Sequence, residues 1–386
     1  MDDFTLLDLF NAYFECRKNK RNSSSALEFE FDLENNLMQL YHDLKNGTYE
    51  IGQSICFVVT KPKPREVWAA SFRDRIVHHL VYNVIKDRFY SRFIYDTYSC
   101  IPEKGTLASA KRVQHFSRSV TQNYTKNAYY LKADLSNFFV SIDKNILFEQ
   151  LKKHVPEQWI LKLLKQILFH DPKSNVLVKS NKNKMELIPK YKSLWHAPSE
   201  IGLPIGNLTS QFFSNVYLNA LDQYVKHSLK CKYYCRYVDD FVIFADNPQQ
   251  LNTWFLQIDK FLEDNLNQRL HPNKKLINKV FTGIDFVGFI IKPNKMFIRQ
   301  RTLKRIYGVV RTWKSLIQID FEINLLEIFF KTMNSYFGML IQTSGYAIRQ
   351  NLCLNIINLF LGCDNKFTKL VLNYSVGHVD FRKGDA

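Results

Sequence analysis

Two adjacent acids, Asp239 and Asp240, interrupt an apolar run of β-branched and aromatic residues between Cys235 and Phe244. Such a run predicts two strands joined by a tight turn, with both carboxylates at the tip of the hairpin. Two like charges in an apolar setting are unfavourable unless a cation neutralises them, and hard divalent ions prefer carboxylate oxygens. This segment alone leaves two interpretations open: a solvated Asp-Asp turn, or part of a metal site.

A second apolar run, residues 129–134, ends in another acid, Asp134. Catalysis by two metal ions requires carboxylates from separate strands that converge on ions about 3.5–4 Å apart. Asp134 on one strand, with Asp239 and Asp240 on a hairpin, would provide these carboxylates if the fold brings the two segments together. The sequence therefore predicts a site for two Mg²⁺ ions, with Mn²⁺ as the alternative metal.

The order of several motifs resembles that of reverse transcriptases. The Tyr237–Asp240 tetrapeptide is similar to the catalytic hairpin of that family, and Asp134 followed by Phe139 is similar to its first catalytic motif. Further segments resemble the fingers, the lysine motif near the triphosphate and the primer grip; in chain order they are Lys61–Arg65, Phe72–His79, Leu270–Lys274 and Phe286–Phe289. The resemblance covers residues 50–295.

Gly202–Gln211 resembles the nucleotide-and-template motif of the same family in a variant form. Here Ile205 precedes Gly206 and Gln211 follows Ser210, whereas most reverse transcriptases carry Gln before this Gly and Pro after this Ser. The variant is similar to the enzymes of diversity-generating retroelements and of related bacterial lineages assigned to phage defence.

The resemblance implies an α+β right-hand polymerase fold. We expect an N-terminal region with the fingers over 1–125, a palm over 126–295 and a helical thumb over 296–386. Apolar spacing predicts a helix over 73–90, and residues 145–169 are expected to be helical. The Lys-rich, proline-containing segment at about 170–200 is expected to be a loop or insertion and is a candidate contact for nucleic acid.

The expected metal ligands are Asp134 and Asp239, with Asp240 more peripheral and the carbonyl of Leu135 implied by the family pattern. Phe139 is a candidate steric gate against a 2′-hydroxyl. Its neighbour Phe138 is expected to point to the opposite face of an extended segment and to pack in the core.

Two basic residues of the fingers, Lys63 and Arg65, are candidates for binding the triphosphate, because their charge suits phosphate oxygens. Lys274 is a candidate to stabilise or protonate the leaving pyrophosphate. At Ile205 a Gln could donate a hydrogen bond near the incoming nucleotide and Ile cannot, so the sequence predicts reduced fidelity. Gly206 permits close approach of the backbone to a ligand.

Candidate template and primer contacts come from several of these motifs. Arg75 is expected either to hold the fingers together or to touch the template. The tight turn of the primer grip is expected to hold the primer backbone, with Gly288 providing conformational freedom. The candidate residues are Arg75, Gln211, Tyr237, Phe286, Val287 and Gly288.

The charge of the chain favours a polyanionic partner. There are 53 Lys and Arg against 36 Asp and Glu, a formal net charge of +17. Neutralised phosphates release counterions, so we expect a noncoding RNA template, a DNA primer or cDNA product and dNTPs as ligands. An accessory protein or a second copy of the chain remains open as a further partner.

No apolar run of about 18 residues is present, so no membrane partner is expected. The seven cysteines are scattered, which suits a reducing cytoplasm. Cys231 and Cys235 are close in sequence, but no second Cys or His pair at suitable spacing accompanies them, so zinc is not expected.

The predicted function is RNA-directed DNA synthesis on a dedicated noncoding RNA, with low fidelity, as in a diversity-generating retroelement. The first alternative is a phage-defence enzyme that makes cDNA from its own noncoding RNA. The second, weaker alternative is a catalytically idle RNA-binding scaffold with the same fold.

Overall fold

A computed structural model describes residues 4–18, 20, 23–319, 323–357 and 361–372. Parts of the basic run at 17–22 and of the predicted thumb therefore lie outside the described residues. The helices are α1 Leu6–Arg17, α2 Ser24–Glu30, α3 Leu33–Asn46, α4 Phe72–Tyr90, α5 Thr106–Val120, α6 Phe138–Ser141, α7 Lys144–Lys152, α8 Gln158–Phe169, α9 Lys182–Met185, α10 Leu208–Gln223, α11 Pro248–Leu266, α12 Gln300–Ile319, α13 Ile323–Ile341 and α14 Tyr346–Ile356.

The strands form four sheets. They are β1 Ser54–Val59, β2 Arg65–Ala69, β3 Thr97–Tyr98, β4 Tyr129–Asp134, β5 Val176–Val178, β6 Tyr234–Tyr237, β7 Asp240–Ala245, β8 Leu276–Lys279, β9 Ile284–Phe286, β10 Phe289–Ile291, β11 Met296–Ile298, β12 Leu361–Cys363 and β13 Leu370–Leu372. The sheet orders are β3-β6-β7-β4-β8, β2-β1-β5, β11-β10-β9 and β12-β13.

The contacts divide the chain into two compact units. One comprises the described residues of Met1–Gly105 and Leu131–Ile277, and the other comprises those of Thr106–Tyr130 and Asn278–Ala386. The division into fingers, palm and thumb at residues 125 and 295 stays a prediction.

Helix boundaries follow local sequence signals. α11 begins where Asn247 accepts a hydrogen bond from the amide of Gln250 at 2.8 Å and Pro248 occupies the first turn, a position that needs no backbone donor. The helical region expected over 145–169 is split into α7 and α8, and Pro156 lies in the break. A proline there has no amide hydrogen and disfavours continuation of the preceding helix.

The five-stranded sheet carries the two apolar runs that contain the acids, as β6, β7 and β4, in its centre. β6 and β7 pair as an antiparallel hairpin with Tyr237 opposite Asp240, and β3 pairs with β6 in parallel. β7 lies between β6 and β4 in the sheet. α10, whose Tyr217 and Leu218 are fully buried, packs against α4, α7 and α11.

The Lys-rich segment at 170–200 is tied into the small sheet. β5 extends this sheet by pairing in parallel with β1, and the amide of Lys179 donates to the carbonyl of Cys56 at 2.9 Å. The carboxylate of Glu66 on β2 is 5% exposed and accepts from Trp68 Nε1 at 3.1 Å and from the amide of Leu194 at 2.9 Å. The segment is therefore part of the packed structure rather than a simple loop.

The second unit contains a helical core beside the β9-β10-β11 sheet. Trp313 of α12 stacks on Phe329 of α13 with ring centroids 4.4 Å apart, and Phe337 is fully buried. Cys353 and Cys363 form a disulfide, a pairing that the scattered cysteine spacing did not predict. None of the described helices has the length and apolar character needed to cross a membrane.

Candidate active site

The sheet brings the three predicted acids to one place. Asp134 is the last residue of β4, Asp239 lies in the turn between β6 and β7, and Asp240 is the first residue of β7. The amide of Leu135 donates to the carbonyl of Asp239 at 3.3 Å, which joins the end of β4 directly to the hairpin turn. The convergence is thus produced by strand order, since β4 and β7 are neighbours.

The hairpin turn has a strained backbone. Val238 has a φ of 56°, in the left-handed region that β-branched residues rarely occupy. Its carbonyl accepts a hydrogen bond from Arg236 Nη1 at 2.8 Å. Strain of this kind costs about 1–3 kcal/mol and persists where the surrounding contacts enforce it.

The electrostatics of the acids differ from one carboxylate to the next. Burial and the nearby charge of Asp134 raise the pKa of Asp239 to about 7. Burial also raises the pKa of Asp240 to about 6, against the opposing effect of Lys132, whose Nζ lies 3.4 Å from Asp240 Oδ2. The site therefore holds more negative charge than its surroundings neutralise, and binding of a cation would relieve this excess.

The donor set fits hard divalent ions in its chemistry. Asp240 Oδ1 is buried and has no hydrogen-bond donor among the described residues, and Asp239 lies within hydrogen-bonding reach of Asp134. Lys274 forms an ion pair with Asp134 Oδ2. Within the described ranges no three acidic, His or Cys side chains are arranged around one metal position. A cation bound at Asp134 Oδ2 would displace the half-exposed Lys274 side chain from that oxygen.

Lys63 and Arg65, the predicted triphosphate ligands, are exposed in and beside the turn that joins β1 to β2. The nucleotide motif is attached to the same strand. The amide of Trp68 donates to the carbonyl of Ile205 at 2.7 Å, and the Asn207 side chain accepts from the amide of Ala70 at 3.0 Å. These two hydrogen bonds fix the backbone of the nucleotide motif at Ile205 and Asn207 to β2.

The close approach of this segment to β2 requires glycine at position 206. Its φ is 137°, and a Cβ at this position would lie 2.8 Å from the carbonyl oxygen of Trp68 and 2.9 Å from Val67 Cγ1. The sequence indicated close approach to a ligand, and the structure shows that β2 itself makes a close approach. The side chain of Ile205 is partly exposed beside it.

Phe138 packs in the core as expected, but not by the strand alternation that the sequence suggested, and the steric-gate role of Phe139 stays a prediction. The segment is not extended: Asn137 has a φ of 49°, and Phe138–Ser141 form the short helix α6. Phe138 is buried and lies against Tyr217, with ring centroids 6.5 Å apart, while Phe139 is partly exposed. Helical geometry after a left-handed residue, rather than strand alternation, separates the two rings.

The remaining candidates are spread over the fold. Arg75 of α4 is partly buried beside Cys16 of α1, its burial lowers its pKa, and its Nε lacks a hydrogen-bond acceptor among the described residues. This placement favours the role of holding the fingers together. Gln211 is exposed on α10 and accepts from Cys100 Sγ at 3.4 Å. Tyr237 lies at the end of β6, opposite Asp240.

The predicted primer grip is a two-residue turn in the second unit. It joins β9 to β10, with Phe286 fully buried at the end of β9. Val287 has a φ of 42° and Gly288 a φ of 97°. Two successive positive φ angles are typical of the tight hairpin turns that match strand twist.

Sequence reasoning missed several residues that support the acids. Lys132 lies two positions before Asp134 in β4 and therefore on the same strand face, a signal that was available. Arg236 is 0% exposed and pairs with Asp222 of α10, which is also 0% exposed. A charged residue inside an apolar strand is the signal that could have identified this pair.

These features define a nucleotidyl-transferring polymerase of the right-hand, α+β type. Residues 59–297 match the family described as reverse transcriptase (RNA-dependent DNA polymerase). Because this match covers more than half of the chain, the protein belongs to the reverse transcriptase family and is an RNA-directed DNA polymerase.

Two curated relatives are remote. Protein YkfC of Escherichia coli K12 is 23% identical over 310 residues, which cover 70% of this chain and 75% of YkfC. The putative COX1/OXI3 intron 2 protein of Saccharomyces cerevisiae is 17% identical over 309 residues, 66% of this chain and 33% of the yeast protein. The chain thus spans about a third of the yeast relative.

Among solved structures, the chain is similar to yeast telomerases. A telomerase from Candida albicans in complex with a fragment of telomeric RNA has a TM-score of 0.46 and 11% identity, and the match covers 79% of this chain and 62% of that one. Apo telomerase from Candida tropicalis has a TM-score of 0.49 and 14% identity, with 80% and 57% covered.

Proposed function

We propose that this reverse transcriptase copies a dedicated noncoding RNA into cDNA with low fidelity, as in a diversity-generating retroelement. The observation that carries the proposal is the position of Ile205. Its backbone is fixed to β2 through Trp68, and its side chain is partly exposed where the family pattern places a nucleotide-contacting glutamine. An apolar side chain there offers no hydrogen bond to the pairing partner.

In the proposed chemistry Asp134 and Asp239 would hold two Mg²⁺ ions, or Mn²⁺ in their place. The ions would favour deprotonation of the primer 3′-hydroxyl and neutralise the leaving pyrophosphate. Asp240 faces Lys132 and would contribute negative charge at the edge of the site. Leu135, adjacent to the acids, is proposed to contribute its carbonyl.

Other residues of the chain are proposed to bind and orient the nucleotide. Phe139 would restrict the sugar, while Lys63 and Arg65 would bind phosphate oxygens. Lys274, once released from Asp134, would stabilise the leaving pyrophosphate or donate a proton to it. The turn at Phe286, Val287 and Gly288 would hold the primer backbone. Gln211 and Tyr237 would contact the template or the primer.

The fidelity proposal is tested by Ile205→Gln. We expect the misincorporation frequency of the variant on a defined RNA template to be lower by about 10-fold or more, because a polar contact rejects wrong partners more strongly than an apolar one. The measurement is deep sequencing of cDNA made at equal extension. Ile201→Gln, a partly exposed isoleucine of the same segment, is the matched control. High wild-type fidelity that Ile205→Gln leaves unchanged would contradict the proposal.

A phage-defence enzyme that makes cDNA from its own noncoding RNA is the second candidate, since the variant of the Gly202–Gln211 motif resembles both groups. The two candidates differ in product: cDNA of a template repeat with scattered substitutions, or cDNA of another RNA of the same locus. An idle RNA-binding scaffold would make neither product.

The deciding experiment is sequencing of nucleic acid that co-purifies with the wild type and with the Asp239→Ala/Asp240→Ala variant. We expect a discrete RNA with both proteins and complementary DNA with the wild type alone. RNA with both and DNA with neither would favour the scaffold. We also propose an accessory protein or a second copy of the chain as a partner, and the same preparation would show either one. The proposed location is the cytoplasm.

A further inference from the structure

A charged pair lies buried beneath the catalytic turn. Arg236 of β6 and Asp222 of α10 both have side chains that are 0% exposed. The guanidinium is bidentate: Nε donates to Asp222 Oδ1 at 2.7 Å and Nη2 to Oδ2 at 2.5 Å. This geometry fixes the guanidinium plane relative to α10.

The carboxylate of Asp222 is itself held in place. It accepts a hydrogen bond from Thr97 Oγ1 at 2.6 Å and one from the Tyr234 hydroxyl at 2.7 Å. Thr97 belongs to β3 and Tyr234 to β6, so two strands and one helix fix the orientation of Asp222. Asp222, held by these two hydrogen bonds, therefore holds the Arg236 guanidinium in one orientation.

The remaining nitrogen of Arg236 reaches the turn. Nη1 donates to the carbonyl of Val238 at 2.8 Å and to Asn215 Oδ1 at 3.2 Å. Asn215, also on α10, donates in turn to the carbonyl of Ser99 at 2.8 Å. Arg236 thus links the rigid side of the sheet to the strained residue that precedes Asp239.

A buried ion pair is by itself a poor source of stability, because the desolvation of both charges offsets their attraction. The Arg236 pair has a more specific consequence, since it bonds the carbonyl of a β-branched residue at a φ of 56°. Without this bond the turn could relax toward an unstrained conformation and carry the Asp239 carboxylate away from Asp134.

We propose that Arg236, anchored by Asp222, is a positioning residue that holds the Val238–Asp239 turn in the conformation needed for catalysis. It does not touch substrate. Its effect on activity rests on the proposed polymerase chemistry, whereas its effect on the turn is a property of the free protein. The two can therefore be measured separately.

The test is Arg236→Lys, which keeps the charge and loses the bidentate fork. The matched control is Arg88→Lys, because Arg88 is also bidentate to a carboxylate, that of Glu157, at 2.6 and 2.5 Å, and does not bond the turn. Hydrogen exchange of a peptide covering residues 234–241 is followed in the metal-free protein. We expect about 10-fold faster exchange in Arg236→Lys and no change in Arg88→Lys.

The second readout is single-nucleotide extension on an RNA template with a DNA primer. We expect kcat to fall about 10–100-fold in Arg236→Lys, as for other small misplacements of reacting groups, with the KM for dNTP nearly unchanged. Asp222→Asn, which keeps the shape of the anchor, should give an effect in the same direction and serves if Arg236→Lys does not fold.

The outcomes separate the two claims. Unchanged exchange at the turn in both the Arg236→Lys and Asp222→Asn variants would overturn the positioning role, whatever the activity. Faster exchange at the turn with kcat equal to that of Arg88→Lys would also overturn it, because the turn would then not matter to catalysis. Faster exchange at the turn in Arg236→Lys, together with a wild type that extends no primer, would support control of the turn by Arg236 and contradict the chemistry given under Proposed function instead.

Discussion

At the scale of single residues, the two adjacent acids of the hairpin are not equivalent. The structure turns Asp239 toward Asp134 and Asp240 toward Lys132. Sequence reasoning reached the three acids because apolar strands ended in carboxylates, and it gave Asp240 the lesser role. It overlooked Lys132 and Arg236, although each is a charged residue inside an apolar strand; their partners, Asp240 and Asp222, are set by strand order and by α10.

The asymmetry predicts unequal losses of activity. Asp134→Asn and Asp239→Asn should each lower kcat for nucleotide addition by about 1000-fold, since each removes a charge at the centre of the site. Asp240→Asn should cost about 10-fold or less. The measurement is single-turnover extension at saturating Mg²⁺ and dNTP. Equal losses for Asp239→Asn and Asp240→Asn would contradict the assignment.

The raised pKa of Asp239 predicts a pH dependence of stability in metal-free protein. The folded-state pKa of about 7 lies above the ordinary value of 3.8, so the folded state binds the proton more tightly. Its stabilising contribution is complete below about pH 4 and is lost as the pH rises through about 7. Thermal unfolding in EDTA should show this decline as a fall in Tm between pH 5 and pH 8.

Asp239→Asn is the control for this dependence, because an amide does not titrate. Its Tm should fall less between pH 5 and pH 8 than that of the wild type. Added Mg²⁺ at pH 8 should raise the Tm of the wild type and leave the Tm of Asp239→Asn nearly unchanged. The same slope in both proteins would show that Asp239 is not the group responsible.

At the scale of elements, local sequence signals account for where several helices begin and end. Asn247 and Pro248 place the start of α11, and Pro156 separates α7 from α8. The turn after Asp134 was not predicted as helix, because a left-handed Asn137 followed by one helical turn leaves no periodic pattern. The attachment of Ile205 and Asn207 to β2 joins segments too distant in sequence for any local signal.

The β9–β10 turn carries a residue that does not suit its backbone. Val287 has a φ of 42°, where Asn is far better tolerated than a β-branched side chain. Val287→Asn should raise the free energy of unfolding by about 1 kcal/mol. Chemical denaturation measures the change. Val309→Asn, a partly buried valine within α12, should lower stability and serves as the control.

At the scale of the whole molecule, the net charge of +17 suits a polyanion without identifying it. The described chain forms two compact units, and the predicted acids all lie in the first. Fold class and the acids followed from ordered motifs. The support of the acids and the attachment of the Lys-rich segment required the three-dimensional structure.

This charge predicts steep salt dependence of RNA binding. A protein with 6–10 phosphate contacts loses about 10³–10⁵ in affinity between 50 and 200 mM salt, and each single-strand contact contributes about 0.7 to the logarithmic slope. Replacing three of the exposed lysines of the 170–200 segment with Gln should reduce the slope by about 2. The lysines are Lys179, Lys182 and Lys184.

A variant with the same loss of charge at exposed positions outside this segment is the control for the salt experiment; it carries Gln in place of Lys152, Lys153 and Lys331. Its slope should stay near that of the wild type. Fluorescence anisotropy with a labelled single-stranded RNA gives both slopes. Equal reductions in the two variants would mean that general charge, and not this segment, attracts the RNA.

The hydrogen bonds of Glu66 tie residue 66 to the 170–200 segment in evolution. It depends on the amide of Leu194 and on Trp68 Nε1, so loss of the 170–200 segment would leave an acid in an apolar interior with one donor instead of two. Position 66 and the segment should therefore have changed together during evolution. A relative with a short connection between α8 and the nucleotide motif is expected to carry a neutral residue where this protein has Glu66.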